Sequence, residues 1–313
     1  MGQSDRPPTL RHVPWLLARF APHYLRHLLL RPFRGRPPLA SLRGFVAAPA
    51  RCHHIAMYDA VLDLMLRGYA DLAEHPLRPD TGRIAVAFTR IGFAFDDEYE
   101  RREAAAESLD FDDVFASPAV LRPLQEWREL MRDVEAYPRI RDALGAFVRR
   151  LYADYRTAHE EPDAERGFDV LVRRAAMDSG GLLVALAHVV GLLHGPPPTA
   201  AVVEEFTALG LTAKLADDIV DFAGDRRGGR PNLLDTDASA AAEARIVAAL
   251  AAGTRMSARW WRRNCPPEYS RIVAVYTARQ AAMTSPWLAY TARLMWIPAL
   301  LGHARAVETR GRI

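Results

Sequence analysis

The chain has 313 residues, of which half are hydrophobic and a quarter are charged, and its net charge is +3. This length is enough for one large domain with its own core. Two cysteines are too few for a disulfide scaffold and favour a reducing cytoplasm. We find no alternating β-branched runs and no apolar run with the roughly 18 residues of a membrane span. The composition therefore disfavours sheet proteins, disulfide-rich secreted domains and membrane-spanning proteins.

The first 51 residues form a basic arm. They hold nine arginines and one acid, Asp5, which gives this arm a charge of about +8 and leaves about −5 for the remainder. Apolar residues such as Trp15 and Phe20 lie between the arginines. We expect an arm that packs over a helical domain of residues 52–313, and peripheral contact with a membrane surface is the alternative. The basic residues form no recognised nucleic-acid motif, so no nucleic-acid partner is predicted.

Helical periodicity runs through the remainder of the chain. Apolar residues recur at three- and four-residue spacings, which predicts an all-α, single-domain antiparallel bundle with a central active-site cavity between facing helices. Asp110, Asp112 and Asp113 are predicted to cap helices from a loop. The predicted helices cover residues 52–74, 83–107, 118–135, 139–160, 165–194, 199–225, 236–263, 268–283 and 287–306.

A first acidic cluster follows an apolar run in the second predicted helix. Asp96 and Glu100 are four residues apart and share a helix face, and Asp97 lies beside them. Phe88 and Phe93 precede Asp96 on the same face. We expect both rings to point into the cavity, where aromatic faces stabilise cations.

A second acidic cluster recurs with the period of a helix. Asp217, Asp221 and Asp225 are spaced by four residues, so they lie within about 80° of one another, and Asp218 adjoins them. Mg²⁺ takes oxygen ligands and is often shared between carboxylates and substrate phosphates, so this acidic ridge predicts a metal site. The chain's one lysine, Lys214, lies on the same face. It either binds a diphosphate or neutralises the ridge.

Together these clusters resemble the two metal-binding motifs of the class I isoprenoid synthases. Asp96-Asp97-x-x-Glu100 is similar to the first motif of that superfamily. The second motif is a hybrid of two subfamilies. Its resemblance to terpene cyclases lies in Asp217, Asp221 and Asp225. Its resemblance to trans-prenyl diphosphate synthases lies in Lys214, Asp217, Asp218 and Asp221.

The rest of the chain is more similar to the cyclases. Elongating synthases carry an Arg-Arg-Gly a little after the first motif and a Gly-Lys-Arg near the start, and this chain has neither at those places. In cyclases an arginine senses the diphosphate just before a glycine-containing helix break, and an acidic residue links the two. Arg173 or Arg174, followed by Asp178 and Gly180, is similar to that segment. A packing contact at the glycines is the alternative to a helix break.

This resemblance implies a Mg²⁺-dependent terpene synthase. Such an enzyme ionises an allylic prenyl diphosphate, with C15 or C20 favoured, and cyclises or rearranges the carbocation to a terpene hydrocarbon or alcohol. It implies three Mg²⁺ ions held by both acidic motifs, with Mn²⁺ as a substitute. A trans-prenyltransferase and a non-catalytic helical partner protein are the alternatives, and a homodimer is left open. The residues expected to bind the diphosphate are Arg173, Arg174, Lys214, Arg226, Arg227 and Arg230.

Overall fold

The computed structural model describes residues 7–30, 49–160 and 167–302. All regular structure in these ranges is helical, which confirms the predicted all-α class. A short 3₁₀ turn at Leu10–His12 precedes the first helix. The α-helices are α1 Val13–Leu30, α2 Pro49–Ala73, α3 Thr81–Ala104, α4 Phe111–Phe115, α5 Pro118–Met131, α6 Tyr137–Glu160, α7 Phe168–His194, α8 Ala200–Arg227, α9 Ala240–Ala251, α10 Ala258–Asn264, α11 Pro266–Ala281, α12 Pro286–Met295 and α13 Ile297–Leu301.

Side-chain caps begin several of these helices. The carboxylate of Asp110 accepts a hydrogen bond from the backbone N–H of Asp112 at 2.9 Å, so the predicted capping role of this acidic group is confirmed for Asp110. Ser239 and Ser257 cap α9 and α10 in the same way. The single helix predicted over residues 236–263 is therefore wrong. The chain leaves the helix at Gly253, whose φ of 60° is costly for other residues, and starts again at Ser257.

The chain divides into two compact units. The first consists of Met1–Leu16, Ala153–Leu183 and Glu204–Ile313, and the second of Leu17–Tyr152 and Val184–Val203. In the first unit, α8 packs its apolar face into a core where Phe222 meets Trp261 with ring centroids 4.7 Å apart. In the second unit, α3 packs against α5. The second acidic cluster belongs to the first unit, and the first acidic cluster belongs to the second unit.

Helix α7 is more apolar than the sequence analysis allowed. It is the one helix among the described residues whose length and composition suit a membrane span, with a mean hydropathy of 1.7 in its 18-residue window. However, 65% of that window is buried inside the protein. This burial is typical of a core helix. A core helix is apolar on all sides because it is surrounded by other apolar groups, as a membrane span is surrounded by lipid.

Candidate functional site

The acidic residues of α8 fall into two sets with different environments. Asp218 and Asp225 are buried, at 2% and 6% exposure. Asp217 and Asp221 are only partly buried, and Asp217 keeps 27% of its side-chain surface exposed. At 100° per residue, Asp217 and Asp221 lie about 40° apart around the helix axis. Asp218 and Asp225 lie about 20° apart, on the side beyond Asp221. The predicted ridge therefore consists of two faces, one directed into the protein and one accessible to a ligand.

Asp218 anchors the chain that follows α8. Its Oδ2 accepts a hydrogen bond from the backbone N–H of Leu233 at 2.9 Å, and its Oδ1 lies 3.1 Å from Nζ of Lys214. Burial raises the pKa of Asp218, whereas Lys214 and the Leu233 N–H oppose that rise. Lys214 also lies 3.7 Å from Asp217, so its contacts are those of the neutralising role.

Asp225 anchors the same segment from one end of α8. Its Oδ1 lies 3.0 Å from Nη2 of Arg230, and its Oδ2 accepts from Nδ2 of Asn232 at 2.9 Å. The same Nδ2 donates to the carbonyl oxygen of Asp218, and Oδ1 of Asn232 accepts from the backbone N–H of Leu234. Asn232 is 3% exposed, so it satisfies three buried polar groups that water cannot reach. The sequence pattern predicted no role for Asn232.

The three arginines after the second motif have different surroundings. Arg226 forms ion pairs with Asp235 and Glu243, which join the end of α8 to the start of α9. Arg227 is exposed. Arg230 has 46% of its side chain exposed although it contacts Asp225. Of the three, Arg227 and Arg230 have guanidinium surface that an anion can reach, and Arg226 is held between two carboxylates.

The predicted diphosphate sensors lie on the first two turns of α7. Arg173 is exposed and Arg174 is 6% exposed. The side chain of Asp178 lies outside the described residues. A cavity of about 670 Å³ opens beside Arg173, and Arg173 is the one predicted site residue among the described residues that line it. Its lining comprises Gly167, Phe168, Asp169, Val170, Arg173, Asp237 and Arg271.

Helix α7 continues without interruption through Gly180 and Gly181, so the predicted helix break is wrong. These glycines lie where α8 crosses α7. A Cβ added to Gly210 of α8 would lie 2.5 Å from the Cα of Gly180, and a Cβ added to Gly180 would lie 3.3 Å from the Cα of Thr207. The absence of side chains thus permits backbone-to-backbone packing, which was the alternative left open. The contact depends on Gly210, which lies thirty residues further along the chain.

The first acidic cluster lies near the end of α3. Asp96 and Asp97 are exposed and Glu100 is partly buried. The buried acid here is Glu98, at 7% exposure, which the sequence analysis did not single out. Arg101 donates to Glu98 at 2.8 and 2.9 Å and Arg102 donates at 2.8 Å. These hydrogen bonds, led by those of Arg101, lower the pKa of Glu98 to about 2.

The two predicted cavity aromatics occupy different environments on α3. Phe88 is buried and packs against Trp127 of α5, with ring centroids 6.1 Å apart. Phe93 is 45% exposed and meets Tyr58 of α2 edge-on at 5.6 Å. Phe88 is thus part of the core between α3 and α5, and Phe93 is the one of the two with free ring surface.

Among the residues that the structure describes, no group of three or more His, Cys, Asp or Glu side chains is placed to hold a metal ion. Comparisons with protein-family models, with curated proteins and with solved structures found no match.

Proposed function

We propose that the protein is a Mg²⁺-dependent class I terpene synthase. It ionises an allylic prenyl diphosphate of C15 or C20 and cyclises or rearranges the resulting carbocation to a terpene hydrocarbon or alcohol. The proposal rests on the resemblance of both acidic motifs to those of the superfamily. It is supported by the helical fold and by the sorting of carboxylates on α8.

That sorting is the observation that carries the proposal. Burial and hydrogen bonding account for Asp218 and Asp225 as anchors of the segment after α8. Asp217 and Asp221 lie one helical turn apart on the more accessible face, where a ligand can reach both carboxylates. Two like charges at this spacing destabilise a helix by a few tenths of a kcal/mol, so a counter-charge from a ligand would be favourable. Lys214 supplies part of it through its contact with Asp217.

Asp217 and Asp221 are a pair of possible ligands for a magnesium ion. Among the described residues, no third acidic, His or Cys side chain is placed to bind the same ion. Mg²⁺ keeps several water ligands and is commonly held by one or two carboxylates together with substrate phosphates. Residues four apart on a helix have Cβ atoms about 5–6 Å apart, close enough for both carboxylates to approach one ion. When bound, the ion would stabilise the charge that grows on the departing diphosphate.

The chain's own groups have two further tasks in this reaction. Arg173, exposed beside its cavity, and Arg227 and Arg230, exposed after α8, have guanidinium groups that can bind a diphosphate in bidentate fashion. Apolar and aromatic surface must exclude water from the carbocation until it has rearranged. Of the two predicted cavity aromatics, Phe93 is the one with an exposed ring face, and such faces stabilise cations.

The proposal is tested by incubating the full chain with C10, C15, C20 and C25 prenyl diphosphates and Mg²⁺, followed by mass spectrometry of the organic extract. We expect a hydrocarbon or alcohol without any co-substrate, and no product with excess EDTA. A longer diphosphate formed only when isopentenyl diphosphate is added would assign the protein to the prenyltransferases instead. If no substrate turns over under any condition, the proposal is wrong.

Variants then locate the metal ligands. Asp217→Asn and Asp221→Asn should each lower turnover at least about tenfold, or roughly 1.4 kcal/mol of barrier, with little change in melting temperature. The matched control is Asp112→Asn. Asp112 is also a helical aspartate, and it is 70% exposed beside Arg149. Normal turnover in both α8 variants would remove these residues from the site.

A further inference from the structure

Helix α1 has one buried face and one exposed face. Leu16 and Phe20, at 1% and 9% exposure, pack into the protein. His23 lies on the same side, where its Nδ1 is 3.4 Å from Oδ2 of Asp63 in α2. The opposite face of α1 is exposed from Leu17 to Arg26. The helix is therefore anchored along one side, and its other side is available for a partner.

The exposed face combines apolar and cationic residues. Leu17 and Leu25 are 46% and 45% exposed, which is high for leucine. At 100° per residue they lie about 80° apart around the helix axis. Arg19 and Arg26 are also exposed, lie within about 20° of each other and are about 100–120° from Leu25 around the axis. The leucines thus form one side of the exposed arc and the arginines form the other.

The sequence around this face carries positive charge and no negative charge. No aspartate or glutamate occurs from residue 6 to residue 58, whereas that stretch holds nine arginines. Five of these arginines, Arg6, Arg31, Arg34, Arg36 and Arg43, lie outside the described residues. A partner of this surface should therefore be anionic.

We propose that the exposed face of α1 binds the surface of an anionic membrane. A helix lying in the headgroup region buries leucine side chains at the acyl boundary while its arginines meet lipid phosphates. The exposed leucines favour a lipid surface over a nucleic acid, because nucleic-acid contacts are made mainly by polar and charged groups with phosphates. This inference is independent of the proposed enzyme activity.

The first test uses the unmodified full chain and sedimentation with vesicles. We expect binding to vesicles of equal parts phosphatidylglycerol and phosphatidylcholine, and much weaker binding to vesicles of phosphatidylcholine alone. Raising the salt concentration should weaken the binding, because added ions screen charges at the surface. If the chain does not bind the anionic vesicles at low salt, the proposal is wrong, whatever the enzyme assay shows.

Two pairs of variants locate the surface. Arg19→Gln with Arg26→Gln should weaken vesicle binding about thirtyfold, a factor of about five for each arginine. Its control, Arg122→Gln with Arg141→Gln, removes the same charge from exposed sites on α5 and α6 and should change binding less than about threefold. Leu17→Ser with Leu25→Ser should weaken binding about tenfold. Its control, Leu121→Ser with Val247→Ser, changes two similarly exposed apolar residues elsewhere.

Circular dichroism and melting temperature establish that each variant is folded, which is expected because all the substituted side chains are exposed. Equal losses in the α1 variants and their controls would overturn the proposal, since binding would then have no defined surface. Binding that depends on the arginines but not on the leucines would also overturn it. In that case fluorescence anisotropy with a labelled duplex oligonucleotide would show whether a nucleic acid is the partner.

Discussion

The acidic parts of α3 and α8 carry similar motifs, but they neutralise their buried carboxylates by different means. In α3, Glu98 is paired with Arg101 and Arg102, which lie three and four residues later on the same helix. In α8, Lys214 gives Asp218 a local counter-charge. Both buried aspartates also depend on residues beyond the helix, through Asn232, Arg230 and the backbone of Leu233. The first arrangement is local, and the second requires a folded loop.

This difference shows how structural carboxylates can be separated from candidate ligands. Each helix has a buried acid with more accessible acids beside it. In α3, Asp96 and Asp97 lie beside the buried Glu98. In α8, Asp217 and Asp221 lie beside the buried Asp218. The charge of each buried acid is met by hydrogen bonds or ion pairs within the protein. The accessible acids are therefore the better candidates for binding a metal ion in both motifs.

The two helices also differ at the backbone, because Gly210 of α8 lies much closer to a neighbouring helix than Gly82 of α3 does. Gly210→Ala places a Cβ 2.5 Å from the backbone of α7, so the two helices must separate. We expect a loss of about 3 kcal/mol or more in the free energy of unfolding, measured by urea denaturation. In α3, a Cβ at Gly82 would make an ordinary contact 3.9 Å from Leu66.

Gly224→Ala is the matched control for that variant within α8 itself. Apart from the adjoining residues and backbone of α8, no heavy atom lies within 4 Å of the added Cβ. Alanine also favours a helix over glycine by up to about 1 kcal/mol. We therefore expect unchanged or slightly increased stability. Equal effects of the two substitutions would show that α7 and α8 do not meet at Gly180.

Asn232→Ala tests the non-local arrangement of α8. It removes partners from the Asp218 carbonyl, the Asp225 carboxylate and the Leu234 N–H, all in buried surroundings. We expect destabilisation of about 2–3 kcal/mol by urea denaturation. The control is Asn264→Ala, because Asn264 donates one hydrogen bond to Trp260 within its own helix, and it should cost about 1 kcal/mol or less. If the two variants were equally stable, Asn232 would not anchor the loop.

Local signals explain which parts of this architecture the sequence predicts. The helices follow from apolar periodicity and caps, and the pairing of Glu98 was readable from arginines at the third and fourth positions after it. The turn between α9 and α10 was also readable, from Gly253 and the cap residue Ser257, but the apolar spacing on either side concealed it. The division of the α8 carboxylates was not readable, since it depends on how Asn232 folds back onto the helix. Similarly, only the position of Gly210 distinguishes a packing contact at Gly180 from a helix break.

Glu98→Gln tests the local arrangement of α3. The substitution weakens charged hydrogen bonds to Arg101 and Arg102 and should cost about 1–2 kcal/mol at pH 7. The pKa of Glu98 is lowered to about 2 in the folded protein, from an ordinary 4.5. Its stabilisation is therefore fully present above about pH 5 and is lost as the pH falls from about 4.5 towards 2.

The measurement is the difference in unfolding free energy between wild type and Glu98→Gln at pH 7, 5, 4 and 3. This difference should narrow at the two lowest values. Glu103→Gln is the control, because Glu103 is an exposed glutamate of the same helix, and it should show a small difference at every pH. A gap that stays constant down to pH 3 would mean that Glu98 is not held as a carboxylate by its arginines.

Asp97→Asn should have the smallest effect on stability, although Asp97 adjoins Glu98. Its side chain is exposed, so we expect a change within about 0.5 kcal/mol. If the α3 motif binds the metal ion, the same variant should lower turnover at least about tenfold, because an amide is a poorer ligand for Mg²⁺ than a carboxylate. Asp97→Asn should thus lose more turnover than stability, whereas Glu98→Gln should lose more stability than turnover. Unchanged turnover in Asp97→Asn, with reduced turnover only in the destabilised Glu98→Gln, would leave the α3 acids with a structural role alone.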